Sequence, residues 1–164
     1  MLWATCRHPR ANGTATAWLI RRFLDPRGHL LFLAPGAVAE AQSLQGAIGF
    51  GAPSTRYPDA DHRGRCSFEQ LVGDRLSADP ALVRLARIVH DAEGAKTKEH
   101  PLVRLAALAY QSPPAASPAR AKEAPGLWAI TDGFGEASND DADIVARATF
   151  LYDALYAHLK RAQP

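Results

Sequence analysis

Cysteine, lysine, methionine and long apolar runs are all scarce in this 164-residue chain, and each scarcity removes a class of explanation. Two cysteines, Cys6 and Cys66, are too few for a disulfide framework. None is needed for stability, since a domain of roughly 150 residues buries about 70% of the surface that its unfolded chain exposes. No apolar stretch approaches the roughly 18 residues of a membrane span, because arginines interrupt every long one. The opening residues hold no apolar signal-peptide core, and with so few cysteines the expected compartment is the cytoplasm. A net charge of +2 is too small to imply a nucleic-acid or membrane binder from bulk charge. With 47% apolar residues the chain is also no disordered segment.

What is present is arginine: 15 of the 19 basic residues, with residues 1–65 at a net +4 and residues 66–164 at a net −2. The first part is the expected anion-facing part. Arginine enrichment has two sources, recognition of oxyanions by the planar guanidinium fork and genomic base composition, and the sequence does not separate them.

The patterning predicts a predominantly helical α+β domain over residues 1–164, with a small N-terminal sheet packed against helices. Leu2–Cys6 is short and β-prone, and His29–Leu33 is an apolar run between Gly28 and Pro35; both read as strands, with a third expected at Ala47–Phe50. Helical spacing links Trp18, Leu19 and Phe23 before Asp25-Pro26, and a second helix is expected over residues 37–45, ending at Gly46. Further helices are expected from Ser67 to Val72, after the Asp79-Pro80 cap, through Leu102, Leu105 and Ala109, and from near Asn139 to the end. Residues 112–125 hold four prolines and read as an internal loop.

Three stretches resemble the C-terminal domain of the ChrB-type chromate-resistance proteins, a bacterial family. They are Trp18-Leu19-Ile20-Arg21-Arg22-Phe23-Leu24-Asp25-Pro26, then His62-Arg63-Gly64-Arg65-Cys66-Ser67-Phe68-Glu69, and Pro125-Gly126-Leu127 followed by Tyr152-Asp153-Ala154-Leu155-Tyr156. This sequence departs from the family's pattern at ionisable positions. Asn12-Gly13 stands for Asp-Arg, Thr16-Ala17 for Cys-Pro, His90-Asp91 for Arg-Gly and Asp61-His62 for a double histidine. The resemblance implies a ligand-responsive or accessory protein in chromate stress, with a regulatory protein as a possible partner and no direct DNA binding by this chain alone.

Two kinds of chemistry are expected. Imidazole and carboxylate groups at His62, Glu69, His90, Asp91, Glu93, Asp140 and Asp141 suit a divalent Zn, Mn or Fe ion, and His90 and Glu93 share a helical face. The competing reading makes Asp140 and Asp141 helix-capping acids and places His90 near the end of its own helix. Arg21, Arg22, Arg63 and Arg65 suit an oxyanion, against the alternative of plain surface solvation. Arg65 beside Cys66 is expected to favour a thiolate, against the alternative that Cys66 is a buried small hydrophobe. Asp153, flanked by large apolar residues, is expected to find a donor, with an arginine of the first helix the candidate. A metal-dependent hydrolase or redox enzyme stays open as the second functional reading, although no P-loop, dinucleotide fingerprint, nucleophile elbow or His-Glu-x-x-His motif is present.

Overall fold

Side chains alternate along the first strand, β1 (Leu2–Cys6), and the alternation divides two apolar layers. Trp3 joins the main core, while Ala4 packs into a smaller cluster with Val38, Ala41, Ala47 and Ala52, flanked by Leu2 and Cys6. Strand β1 pairs in parallel with β2 (His29–Leu33) on one side and β3 (Ile48–Gly49) on the other, giving the order β2-β1-β3. Parallel neighbours need crossovers, supplied here by α1 (Ala11–Leu19) between β1 and β2 and by α2 (Pro35–Gln45) between β2 and β3. The two helices cover opposite faces: α1 contributes to the Trp3 core, and α2 to the Ala4 cluster. The computed structural model describes residues 1–99 and 121–162, with side chains through Gly94 and again from Ala121.

The other helices are α3 (Ser67–Arg75), α4 (Pro80–Glu99), α5 (Ala124–Ala137) and α6 (Asp141–Arg161). Together with the small sheet they form a predominantly helical α+β domain. The expected helix through Leu102 and Ala109 lies outside the described residues, as do positions 112–120 of the proline-rich segment. Ala124 and Pro125, the last two residues of that segment, instead open α5, with Pro125 in the first turn where its missing N–H leaves no helical bond unmade.

Trp18 centres the core. It is 1% exposed and lies against Phe23, Phe68, Tyr152 and Tyr156, with ring centroids 5.4–6.4 Å apart. Aromatic pairs of this kind each contribute about 0.5–1.5 kcal/mol beyond their buried area. After Leu19 the first helix widens into a π-helical turn, Ile20–Leu24, closed by the Asp25 amide on the Ile20 carbonyl at 2.7 Å. Asp153 on α6 accepts from Trp18 Nε1 at 2.9 Å and forms an ion pair with Arg22 Nε at 3.3 Å, so its donor is the Trp18 indole and an arginine of this segment is its ion-pair partner. Asp79 caps α4 by accepting from the Ala81 and Leu82 amides, and its other oxygen receives the Tyr156 hydroxyl at 2.6 Å. No helix among the described residues is long and apolar enough to cross a membrane.

Candidate functional site

In an open parallel sheet the crevice at the carboxyl end of the strand where the order reverses is the favoured ligand position. Here that strand is β1, with β2 and β3 reached in opposite directions. The segment after it, Arg7-His8-Pro9-Arg10, forms a cavity of about 330 Å³ together with Gly51, Asn12, Asp59 and Glu93. Arg7 has no ion-pair partner among the described residues, and its amide extends the β1–β2 ladder by donating to the Leu33 carbonyl at 2.9 Å. His8 adopts φ +53°, the left-handed region that residues with side chains enter seldom, and its amide donates to Asp141 Oδ1 at 2.7 Å. Arg10 reaches Asp132 of α5 at 3.2 Å. Gly13 permits the tight entry into α1, because a Cβ there would lie 2.8 Å from Pro9 Cβ. Gly51, at φ +69°, brings backbone into the opposite wall.

The floor of the cavity is held from two other helices. Glu93 of α4 accepts from the Asn12 amide at 2.8 Å, a carboxylate placed where the N-terminus of α1 favours negative charge. Asn12 is buried. Its Oδ1 accepts from the Phe68 amide at 3.1 Å and its Nδ2 donates to Ser67 Oγ at 3.3 Å, tying α1 to the start of α3.

That start is a second polar cluster. Cys66 is the N-cap of α3 in a reciprocal capping box: its sulfur accepts from the Glu69 amide, and Glu69 Oε2 accepts from the Cys66 amide at 2.9 Å. Glu69 Oε2 also lies 2.7 Å from His90 Nδ1 on α4. The ligand atoms of Cys66, Glu69 and His90 all fall within 4.8 Å of one another, the one such group among the described residues. Cys66 is 4% exposed, and burial pushes its thiol up to about 12, with the Glu69 and Glu93 carboxylates adding to the rise. Arg65 does not oppose this rise, contrary to the expectation of a thiolate. Its guanidinium is turned to Asp61, with Nε at 2.9 Å and Nη2 at 2.8 Å.

A model of the "ChrB, C-terminal domain" family matches residues 3–112, which include both the Arg7–Arg10 turn and the Cys66 cluster. The chain belongs to the ChrB C-terminal domain family. The curated Protein ChrB of Cupriavidus metallidurans is 31% identical over 160 residues, 95% of this chain and 40% of that protein. This ChrB C-terminal domain therefore spans well under half of that relative. No solved structure matches the chain.

Within this ChrB domain the residues singled out from sequence do not converge on one point. Glu69 and His90 come together, and Cys66, expected on redox grounds, joins them. Glu93 faces the β1 cavity instead. Asp91 accepts from the Ala121 amide at 2.8 Å, Asp140 caps α6 through the Ala142 amide at 2.9 Å, and Asp141 holds His8. His62 and Arg63 are exposed on a turn whose centre is Asp61, and Arg21 is exposed at the far end of the first helix. The basic residues that do meet at a cavity, Arg7, His8 and Arg10, were missed. The available signal was a strand followed directly by Arg-His-Pro-Arg and a helix, but only the strand order makes such a turn a crevice.

Proposed function

We propose that this ChrB C-terminal domain is a ligand-responsive or accessory protein in chromate stress, and that its ligand is a small oxyanion taken into the cavity at the carboxyl end of β1. One observation supports the reading above the rest: Arg7, His8 and Arg10 border a cavity of about 330 Å³ where the strand order reverses. The guanidinium of Arg7 offers a planar fork that binds two oxygens of a tetrahedral anion. The wall also carries Asp59 and Glu93. Glu93 is directed at the Asn12 amide, while Asp59 is an acceptor only, which suits an oxyanion that still carries one proton.

A ligand shifts a protein only through unequal affinity for two states. The turn that would bind the anion is tied to α5 by Arg10–Asp132 and to α6 by His8–Asp141. An anion that draws Arg10 inward competes with Asp132, and that competition gives α5 and α6 a liganded arrangement for a regulatory partner to read. Calorimetric titration with chromate and with sulfate tests this. Saturable heat that Arg7→Ala weakens at least ~10-fold is expected, from the loss of a charge-assisted pair. Absence of heat at millimolar anion would remove the proposal. Chromate absorbance followed in parallel samples with an added thiol or nicotinamide reductant separates binding from catalysis: decay no faster than with the reductant alone means a bound ligand, and decay accelerated over repeated turnovers means the redox-enzyme reading instead.

A further inference from the structure

Cys66, Glu69 and His90 play no part in the anion site. A capping box and one ion pair account for their contacts, but not for the choice of residues. At an N-cap, serine, threonine, aspartate and asparagine are the strong choices, because their oxygens accept well from the first-turn amides. Here the position holds a thiol, a weak acceptor, although the next residue is Ser67. The group opposite the thiol is an imidazole, and between them lies a carboxylate that already receives an amide.

We propose that Cys66, Glu69 and His90 form a binding site for a zinc-type divalent cation, with a remaining coordination position open to solvent. Three observations support the site. The donor set of one sulfur, one nitrogen and one oxygen is that of a borderline cation such as Zn²⁺, and the thiolate disfavours hard ions such as Mn²⁺. The three ligand atoms are already within 4.8 Å of one another, so small side-chain rotations bring them to the spacing of a tetrahedral ion. The cluster is also graded in exposure: Cys66 is 4% exposed, while the side chains of Glu69 and His90 are 22% and 47% exposed. An ion enters from the histidine side and meets the sulfur last.

The ligands are held by different elements. Cys66 and Glu69 lie three residues apart at the start of α3, where the capping box fixes both, and His90 projects from α4. Without metal, the 2.7 Å contact between His90 Nδ1 and Glu69 Oε2 requires a proton between them. Metal binding at Nδ1 leaves the imidazole its proton on Nε2 and releases the thiol proton to solvent, and the cation then balances the buried thiolate and the carboxylate. The site also pins α4 to α3 next to Glu93, the residue that holds the α1 amide.

The test uses the full chain and Co²⁺ as a spectroscopic substitute for Zn²⁺, with Zn²⁺ affinity from competition against a chromophoric chelator. Intense visible bands of tetrahedral cobalt and a near-ultraviolet sulfur-to-cobalt band are expected, both reversed by Zn²⁺. Cys66→Ser puts a hydroxyl cap in place of the thiol; it is expected to abolish the sulfur band and weaken Zn²⁺ at least ~10-fold. His90→Ala, on the exposed side, weakens Zn²⁺ to a similar degree and serves if Cys66→Ser misfolds. Cys6→Ser and His62→Ala leave the spectrum unchanged. An octahedral cobalt spectrum without the sulfur band, or Cys66→Ser binding Zn²⁺ as tightly as the parent chain, overturns the site. Anion titrations report on the β1 cavity alone, so either proposal can fail without the other.

Discussion

The Arg7–Arg10 turn and the Asp61–Cys66 loop have nearly the same ingredients, two arginines and one histidine within a few residues, yet they use them in opposite ways. In the loop the bonds gather on Asp61, while the His62 and Arg63 side chains point to solvent. Asp61 accepts from the amides of Arg63 and Arg65 and from the Arg65 guanidinium, which also lies over Gly73. Gln70 donates to the carbonyls of Pro58 and Arg65, closing the loop from beneath. In the turn, Arg7 is left without an ion-pair partner among the described residues, and the chain instead strains His8 into the left-handed region beside a cavity. Composition marks both segments as anion sites. The Arg65 fork is closed on Asp61 and has little to offer a ligand, and Arg63 points from an exposed turn; the Arg7 fork, with no carboxylate on it among the described residues, is set beside a cavity.

Asn12 ties the helix that follows the turn to the start of α3 that follows the loop, and its removal carries the largest expected effect. Asn12→Ala takes the acceptor from the buried Phe68 amide and the donor from Ser67 Oγ. Ser67 Oγ keeps the Gly51 amide and the Pro58 carbonyl, but the Phe68 amide and the buried Thr16 hydroxyl lose their acceptor; at about 1–3 kcal/mol for each buried group left unpaired, a loss of roughly 2–4 kcal/mol is expected. Urea unfolding checks this through a lower midpoint at unchanged slope. If the regions are independent beyond this joint, Asn12→Asp, which retains the Phe68 acceptor, restores most of the stability. A variant that folds well yet loses both anion and Zn²⁺ binding would show one continuous site rather than two.

The next effect separates the regions by ligand. Arg7→Ala is expected to weaken the anion ~10–100-fold, equivalent to about 1.5–3 kcal/mol for hydrogen bonds to a charged group, while leaving Zn²⁺ affinity unchanged. Calorimetry with both ligands on the same variant reads this directly. Equal losses for the two would contradict the division.

How much of this was legible in the sequence follows the range of the forces involved. The Asp79-Pro80 start of α4 and the Gly46 end of α2 were legible, since capping involves only neighbours in the chain. Helix α5 was not: Gly126, Gly133 and Gly135 weaken its propensity, and it forms because Ala124, Leu127 and Thr131 are buried against the rest of the domain. At the candidate sites, residue type pointed to Glu69 and His90, and left Cys66 open between a thiolate beside Arg65 and a buried small hydrophobe. The neighbouring charge turns away to Asp61, and burial sets the thiol. The Arg7–Arg10 crevice depends on β3 returning to the far side of β1, a pairing that no local pattern records.

A polar cluster far from both regions supplies a third and smaller test. Burial alone would raise Asp79, but hydrogen bonds from the Tyr156 hydroxyl and the Leu82 and Ala81 amides bring it below the usual carboxylate range. Burial also pushes Tyr156 up to about 12, and the bond to Asp79 reinforces the rise. A carboxylate with a depressed folded pKa contributes stability that is complete above its unfolded value of about 3.9 and is lost as pH falls through the folded one. Asp79→Ala should therefore cost about 1–2 kcal/mol at neutral pH, mostly from the lost cap, and less below about pH 4. Thermal melts from pH 7 to pH 3 check the sign, with anion and Zn²⁺ affinity at pH 7 unaltered. A penalty that grows in acid would mean that Asp79 is not held ionised by these bonds.

The smallest expected effect is the one on which the comparison most depends. Arg65→Ala removes the guanidinium on Asp61 but leaves Asp61 accepting from the Arg63 and Arg65 amides, so the turn keeps its shape. Chromate affinity should then change by no more than ~2-fold, as for loss of a partly buried ion pair that does not line the cavity. Zn²⁺ affinity should hold equally well, because Cys66 and Glu69 are fixed by their own capping box rather than by Arg65. A loss of chromate binding as large as that of Arg7→Ala would show that Arg65 leaves Asp61 to take the anion. The ordered loop would then be the resting form of a site, and its internal bonds the contacts that a ligand must displace.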